Sequence, residues 1–113
     1  MANDPTALDP DALQTALEQL PDWRAEKGAL ITAYAAPSAA AALALIAAIG
    51  DAAEAANHHP DVDWRYDHVF VLTTTHQIGG KVTALDVELA RQVSGLAGAA
   101  GATAEPDRGR PGA

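Results

Sequence analysis

The sequence predicts an α+β two-layer sandwich, a four-stranded antiparallel sheet with three helices on one face in the order α-β-β-α-β-β-α. Three observations carry this. Residues rich in β-branched and aromatic side chains come in two pairs, each pair joined by a short turn. Apolar residues at helical spacing precede, separate and follow those pairs. Hairpin-length connections within each pair imply antiparallel neighbours, and helices gathered on one face would give the sheet a core.

Taken in order, residues 1–8 carry no period and are expected to form a flexible N-terminal arm. Asp9-Pro10 is a helix start, an oxygen-bearing cap followed by proline at the first helical position. Leu13, Ala16, Leu17 and Leu20 recur at helical spacing, and Pro21 ends the helix. Trp23 opens a short strand, Lys27-Gly28 reads as a turn, and 29–35 (ALITAYA) is a second strand. Pro37-Ser38 begins a long helix reaching about Ala56, with Ala42, Leu45, Ile46, Ile49 and Ala53 as its inward stripe. Gly50 inside it is a candidate for close backbone approach. Asn57 ends the helix, and Pro60 prevents another from starting at once.

Strands are expected over 62–66 and 69–75, separated by Asp67-His68 as a two-residue turn. Gly79-Gly80 is a further turn. Thr83 with Asp86 three residues on resembles a capping box, and Leu85, Leu89, Val93 and Leu96 form the last helical stripe. The domain is therefore expected over 9–97. Residues 98–113, poor in bulky side chains and rich in Gly, Ala and Pro, are expected to be disordered.

With 113 residues the chain accommodates one domain. It is 49% hydrophobic but only 4% aromatic, and much of the apolar content is alanine, so the core is small and self-association is expected. A formal charge of -8 argues against direct binding to nucleic acid or to an anionic membrane. There is no cysteine, hence no disulfide, thiolate nucleophile or Cys-based zinc site. The N-terminal residues do not read as a signal peptide, and the apolar run 39–48 is about half of a membrane span. A cytoplasmic location is the expectation.

The stretch from Glu54 to Asp86 holds all four histidines. Glu54 and His58, four apart, would share a face if the last helical turn persists, and the carboxylate would then orient the ring. Pro60 extends His59, so the rings of His58 and His59 should diverge. His76 stands where the last strand runs out before Gly79-Gly80. Each of these also fits a plainer reading: a solvated Glu beside a capping His, a surface loop, a polar strand end. His68 falls in the expected turn and reads as exposed. Adjacent histidines in an extended segment rarely converge on one ion, and no H-x-H or H-x-x-x-H spacing occurs, so no metal site is expected. No nucleophile elbow or phosphate-binding glycine loop is present. What remains is metal-free acid–base chemistry by imidazoles, assisted by Glu54 and Asp86.

The run Glu54-x-x-Asn57-His58-His59-Pro60-Asp61, followed by Tyr66, Val69, Val71, Leu72, Thr75-His76, Gly79-Gly80, Thr83, Asp86 and Leu89-Ala90, resembles pterin-4a-carbinolamine dehydratase. Trp23 matches the tryptophan ending that family's first loop, and the resemblance covers roughly Leu8 to Leu96. It implies the same α+β sandwich, dimers or tetramers, and dehydration of 4a-hydroxytetrahydropterin to quinonoid dihydropterin without metal or organic cofactor. That reaction recycles the cofactor of aromatic amino acid hydroxylases. By resemblance, His58 and His76 are the acid–base pair, and His59 binds and orients the pterin. Glu54 and Asp86 set histidine charge and orientation, and Trp23 contributes to the pocket wall. Substrate contacts carry over to Asn57, His58, His59, Thr74, Thr75, His76 and Gln77.

Lys81 and Val82 separate Gly80 from Thr83 where the family usually has one residue. Tyr34 and the alanines opening the long helix stand where phenylalanine is usual. The fold also serves as a non-catalytic binding module, as a dimerisation cofactor of a transcription factor or an assembly factor for a carbon-fixing enzyme. That reading, or pterin binding without turnover, competes with the dehydratase.

Overall fold

The computed structural model describes residues 5–108. The helices begin where capping chemistry directs them. In α1 (Pro10–Glu18) the Asp9 carboxylate accepts the Ala12 N–H at 2.8 Å. In α2 (Ala39–Ala56) the Ser38 hydroxyl accepts the Ala41 N–H at 3.0 Å, and the helix stops at Asn57, which turns left-handed with φ 52°. In α3 (Ala84–Ala99) Thr83 and Asp86 form a complete capping box.

The strands are β1 (Arg24–Glu26), β2 (Ala29–Ala35), β3 (Asp61–Arg65) and β4 (His68–Thr73), antiparallel in the order β1-β2-β4-β3. Leu30 pairs with Thr73, Thr32 with Val71 and Tyr34 with Val69. The two-residue strand period therefore turns these six toward the helices. There they join one core with Leu20, Trp23, Leu45, Ile49, Leu89, Ala90 and Val93. Leu8, Leu13 and Leu17 close its edge. The four-stranded antiparallel sheet with three helices on one face is thus present, with a fifth strand added to it.

Several details differ from the sequence reading. The β3–β4 turn is Tyr66-Asp67, with Tyr66 left-handed at φ 54°, one residue before the expected Asp67-His68. His68 consequently belongs to β4, opposite Arg65. It is half-buried between Asp67 (2.8 Å) and Glu105 (3.1 Å) rather than exposed in a turn. In α3 the inward face is Asp86, Leu89, Ala90, Val93 and Ala97, while Leu85 is exposed and Leu96 half-buried. A buried aspartate holds the first inward position, which a purely apolar pattern assigns to its neighbour. Ile46 in α2 is likewise only half-buried. Gly50 is exposed with open space around it, so no backbone approaches there. The whole of α2, at 18 residues, is by length and composition apolar enough to cross a membrane, unlike the shorter run taken alone. Its stripe of Ala42, Leu45, Ile49 and Ala53 is buried against the rest of the fold.

The tail departs most from expectation. Thr103–Ala104 forms β5, pairing antiparallel with Ala35 and Tyr34 of β2. Glu105 N–H donates to Ala33 O at 2.7 Å, and Arg24 pairs with Asp107 at 2.9 Å. The cause lies in the sheet. Strand β1 covers only Ala29–Ile31, leaving backbone groups of Ala33–Ala35 to be satisfied by another segment. Residues 98–108 are therefore ordered, not disordered as expected, while 109–113 lie outside the described residues. Within the expected arm, Leu8 N–H donates to Val82 O at 2.9 Å; residues 1–4 lie outside the described ones.

Two turns are wedged together beside the histidine-bearing loop. Lys27 (φ 49°) and Gly28 (φ 80°) link β1 to β2, and a Cβ on Gly28 would lie 2.2 Å from Gly80 O. Thr74 Oγ1 donates to Gly28 O at 2.6 Å. Gly28→Ala is expected to lower stability by about 1–3 kcal/mol, from strain at positive φ plus the backbone clash. Urea unfolding would test this, and an unchanged midpoint would mean that the Gly80 turn simply moves aside.

Candidate active site

Asp86, 0% exposed in the first turn of α3, gathers His58 and the hydroxyls of the β4 end around one carboxylate. Its Oδ1 accepts from His58 Nε2 at 2.6 Å and from the Thr73 hydroxyl at 2.6 Å. Its Oδ2 accepts from the Thr75 hydroxyl at 2.7 Å and the Thr83 N–H at 2.9 Å. Burial pushes the carboxyl up, but the hydrogen bonds from His58, Thr73, the Thr83 backbone and Thr75 together outweigh it. They hold Asp86 below the ordinary carboxylate range. An ionised carboxylate has no proton to donate, so His58 Nε2 carries the hydrogen of this contact. The ring's other nitrogen, Nδ1, has no hydrogen-bond partner among the described residues.

Backbone geometry explains why His58 reaches Asp86. The left-handed Asn57 reverses the chain after α2, and His58 N–H closes the helix onto Ala53 O at 3.1 Å. The ring then points inward and is 8% exposed. The expected Glu54–His58 pair does not form, because the helix stops before His58. Glu54 instead meets His59, Oε2 to Nε2 at 2.5 Å, on the exposed side. The two rings diverge, as proline after His59 requires.

His76 follows Thr75 directly and opens a 3-10 turn over His76–Ile78 that closes on Gly79. Asp86 therefore links the His58 segment to the start of the His76 segment through Thr75. His76 and Gln77 are exposed, as is Asn57. Thr74 is spent on the Gly28 carbonyl. Thr75, expected at the substrate, is fully buried, and its hydroxyl holds Asp86 and meets Thr83 Oγ1 at 2.8 Å. Trp23, expected at a pocket wall, is 1% exposed in the core, its indole N–H donating to Ser94 Oγ at 2.9 Å. Among the described residues no three His, Asp or Glu side chains cluster as a metal-ligand set.

The Thr83 N–H contact is the capping box expected from Thr83 and Asp86, whereas the contact from Thr73 is not anticipated by the sequence reading. The signal for Thr73 was present: Val69, Val71, Thr73 and Thr75 share one strand face, so two hydroxyls follow two apolar residues into the core.

The depressed Asp86 carboxyl has a stability consequence. Its unfolded value lies near 3.9, so the unfolded chain binds the proton more readily as pH falls. The contribution is complete above roughly pH 4 and is lost as pH drops through the folded value. Asp86→Asn should therefore cost at least about 2 kcal/mol at pH 7, with the gap from wild type narrowing as pH falls below the ordinary carboxylate range. Urea unfolding across that range checks it, and a gap independent of pH would contradict the linkage.

Known proteins share this arrangement of elements. The family described as pterin 4 alpha carbinolamine dehydratase matches residues 6–96. A Nocardia farcinica protein named "Putative pterin-4-alpha-carbinolamine dehydratase" is 41% identical over 90 residues, covering 80% of this chain and 94% of its own. A Thermomicrobium roseum protein of the same name is 37% identical over 90 residues, covering 80% and 96%. The crystal structure of a transcriptional coactivator/pterin dehydratase from Brucella melitensis aligns with TM-score 0.78 at 26% identity, covering 81% of this chain and 99% of that one. The β5 tail lies beyond the matched residues. With four-fifths of its length matched and the sheet and helices in common, the chain belongs to the pterin 4 alpha carbinolamine dehydratase family.

Proposed function

We propose that the protein dehydrates a 4a-hydroxytetrahydropterin to the quinonoid dihydropterin, and so returns the cofactor of an aromatic amino acid hydroxylase to use. The observation that carries this reading is the buried His58–Asp86 contact, standing one residue from His76 through Thr75. Loss of water breaks the C4a–O bond, with a proton delivered to the departing hydroxyl. A ring nitrogen gives up its proton and its electron pair forms the new C=N bond, so atoms and charge balance. Two imidazoles suit these transfers at neutral pH without a metal.

In this reading His58 exchanges a proton through Nδ1, because Nε2–H is committed to Asp86. His76, exposed on its turn, is the second acid–base group. His59, steadied by Glu54, binds and orients the pterin, with Asn57 and Gln77 around it, while the Thr74 hydroxyl stays on the Gly28 carbonyl. Thr75 and Trp23 are too buried to touch a substrate; Thr75 supports Asp86, and Trp23 supports the core.

A second reading, interaction with another chain, is favoured by α2. Only 22% of this apolar helix is buried, and Leu43 on its outer side is 50% exposed. Apolar helix faces of this kind are commonly covered by another subunit. We infer that a second copy packs there, giving a homo-oligomer alongside the enzymatic role.

Decay of enzymatically generated 4a-hydroxytetrahydropterin, followed by ultraviolet absorbance, tests the first reading. The protein should accelerate decay, and His58→Ala and His76→Ala should each lose about 10²-fold or more. Folded wild type performing no better than buffer would remove the enzymatic assignment. For the second reading, Leu43→Glu should shift the mass in solution toward the monomer at unchanged helicity. A wild type that is already monomeric by light scattering would dismiss it.

A further inference from the structure

The Asp86 carboxylate divides its two oxygens between different tasks. Oδ2 takes the Thr83 N–H and the Thr75 hydroxyl, completing the cap of α3. Oδ1 takes His58 Nε2 and the Thr73 hydroxyl, each at 2.6 Å, with no other donor among the described residues. Thr73 is 0% exposed and lies opposite Leu30, in line with Val69 and Val71. Valine would fill that site with nearly the same volume and would bury no hydroxyl. The hydroxyl is accommodated because it meets the same oxygen that holds the His58 ring.

We propose that Thr73 is a positioning residue. Its hydroxyl holds Asp86 Oδ1 on His58 Nε2, so that the ring keeps its hydrogen on Nε2 and presents Nδ1 for proton exchange. The catalytic consequence rests on the dehydratase reading; the tautomer it fixes does not. The charged groups packed around this centre are few. Strand β4 contributes the Thr73 hydroxyl, and its titratable His68, at the opposite end of the strand, is engaged by Asp67 and Glu105. From α3 comes Asp86 itself, while Glu88 and Arg91 are exposed and paired with each other at 2.7 Å. Glu54, near the end of α2, is engaged by His59. Lys81 is exposed, and its carbonyl accepts the Thr75 N–H. Asp86 is thus the group that sets which His58 nitrogen is protonated, and Thr73 sets the place of its Oδ1.

The test uses the full-length ¹⁵N-labelled protein and reads the His58 imidazole resonances and the solvent exchange of the Nε2 proton. Thr73→Val should speed that exchange on the order of tenfold and mix in the other tautomer. Thr73→Ser should restore wild-type behaviour. Thr75→Val removes a hydroxyl from the same carboxylate but from Oδ2, and should leave exchange within about threefold of wild type. A merely structural role would move the two valine variants alike. Where turnover is measured, Thr73→Val should lower kcat on the order of tenfold with KM little changed. Should Thr73→Val fail to fold, Thr73→Cys carries the same expectation with a weak donor of similar size. Wild-type exchange and tautomer in Thr73→Val, or an equal effect from Thr75→Val, would overturn the proposal. The resonance measurement needs no substrate, so its result stands apart from whether the protein turns over a pterin.

Discussion

One buried carboxylate sets the conditions for the rest of the site. An ion at 0% exposure is costly unless every lone pair is engaged, and Asp86 is engaged from four directions. Those partners come from the turn after α2, from the end of β4, and from the residue that caps α3. The same contacts that make the charge tolerable therefore tie three elements together. The two oxygens divide the work, Oδ2 holding the cap of α3 and Oδ1 the imidazole and the strand end, so one carboxylate couples three elements.

Much of this could be read from the chain, and the reasons for the failures are specific. Helix starts were legible because Asp9-Pro10, Ser38 and Thr83-x-x-Asp86 are local signals whose chemistry acts within one turn. The paired strands were legible from β-branched runs. The one-residue error at Tyr66-Asp67 arose because a non-glycine residue takes the left-handed position, which local propensity disfavours. The Glu54–His58 pairing failed for a similar reason. Whether the helix runs two residues further, to His58, depends on a single αL residue, Asn57, and the spacing argument assumes that it does. Thr73 was missed because a buried threonine in a strand looks like an ordinary β-former until its partner is known.

The tail shows a different limit. Composition correctly describes residues 98–108 as poor in bulky core-forming side chains, yet order there does not need them. It comes from unpaired backbone on β2, which β1 is too short to cover. A segment with few bulky residues can satisfy such groups as well as any other, and Gly101 at φ 73° supplies the turn that brings it back. The Arg24–Asp107 ion pair and the His68–Glu105 hydrogen bond then hold its end across the sheet. Compositional signals of disorder therefore mislead where a neighbouring strand leaves a vacant edge.

The arrangement also separates two demands that acid–base chemistry makes on a histidine. A ring that must present one defined nitrogen needs a fixed partner on the other, which His58 obtains by burial against Asp86. A ring that exchanges protons with its surroundings needs access, which His76 and His59 have at the surface. Thr75 joins the two kinds: its hydroxyl belongs to the buried network and its backbone starts the exposed turn. Its carbonyl accepts the Gly80 N–H at 3.1 Å, so the turn carrying His76 is closed by the residue that holds Asp86. A shift of the carboxylate would thus be felt at His76 through one residue of backbone. The extra residue between Gly80 and Thr83 lies in the loop where such a shift would be expected. In that loop Thr75 pairs with Lys81, while the Thr75 hydroxyl stays on Asp86 Oδ2.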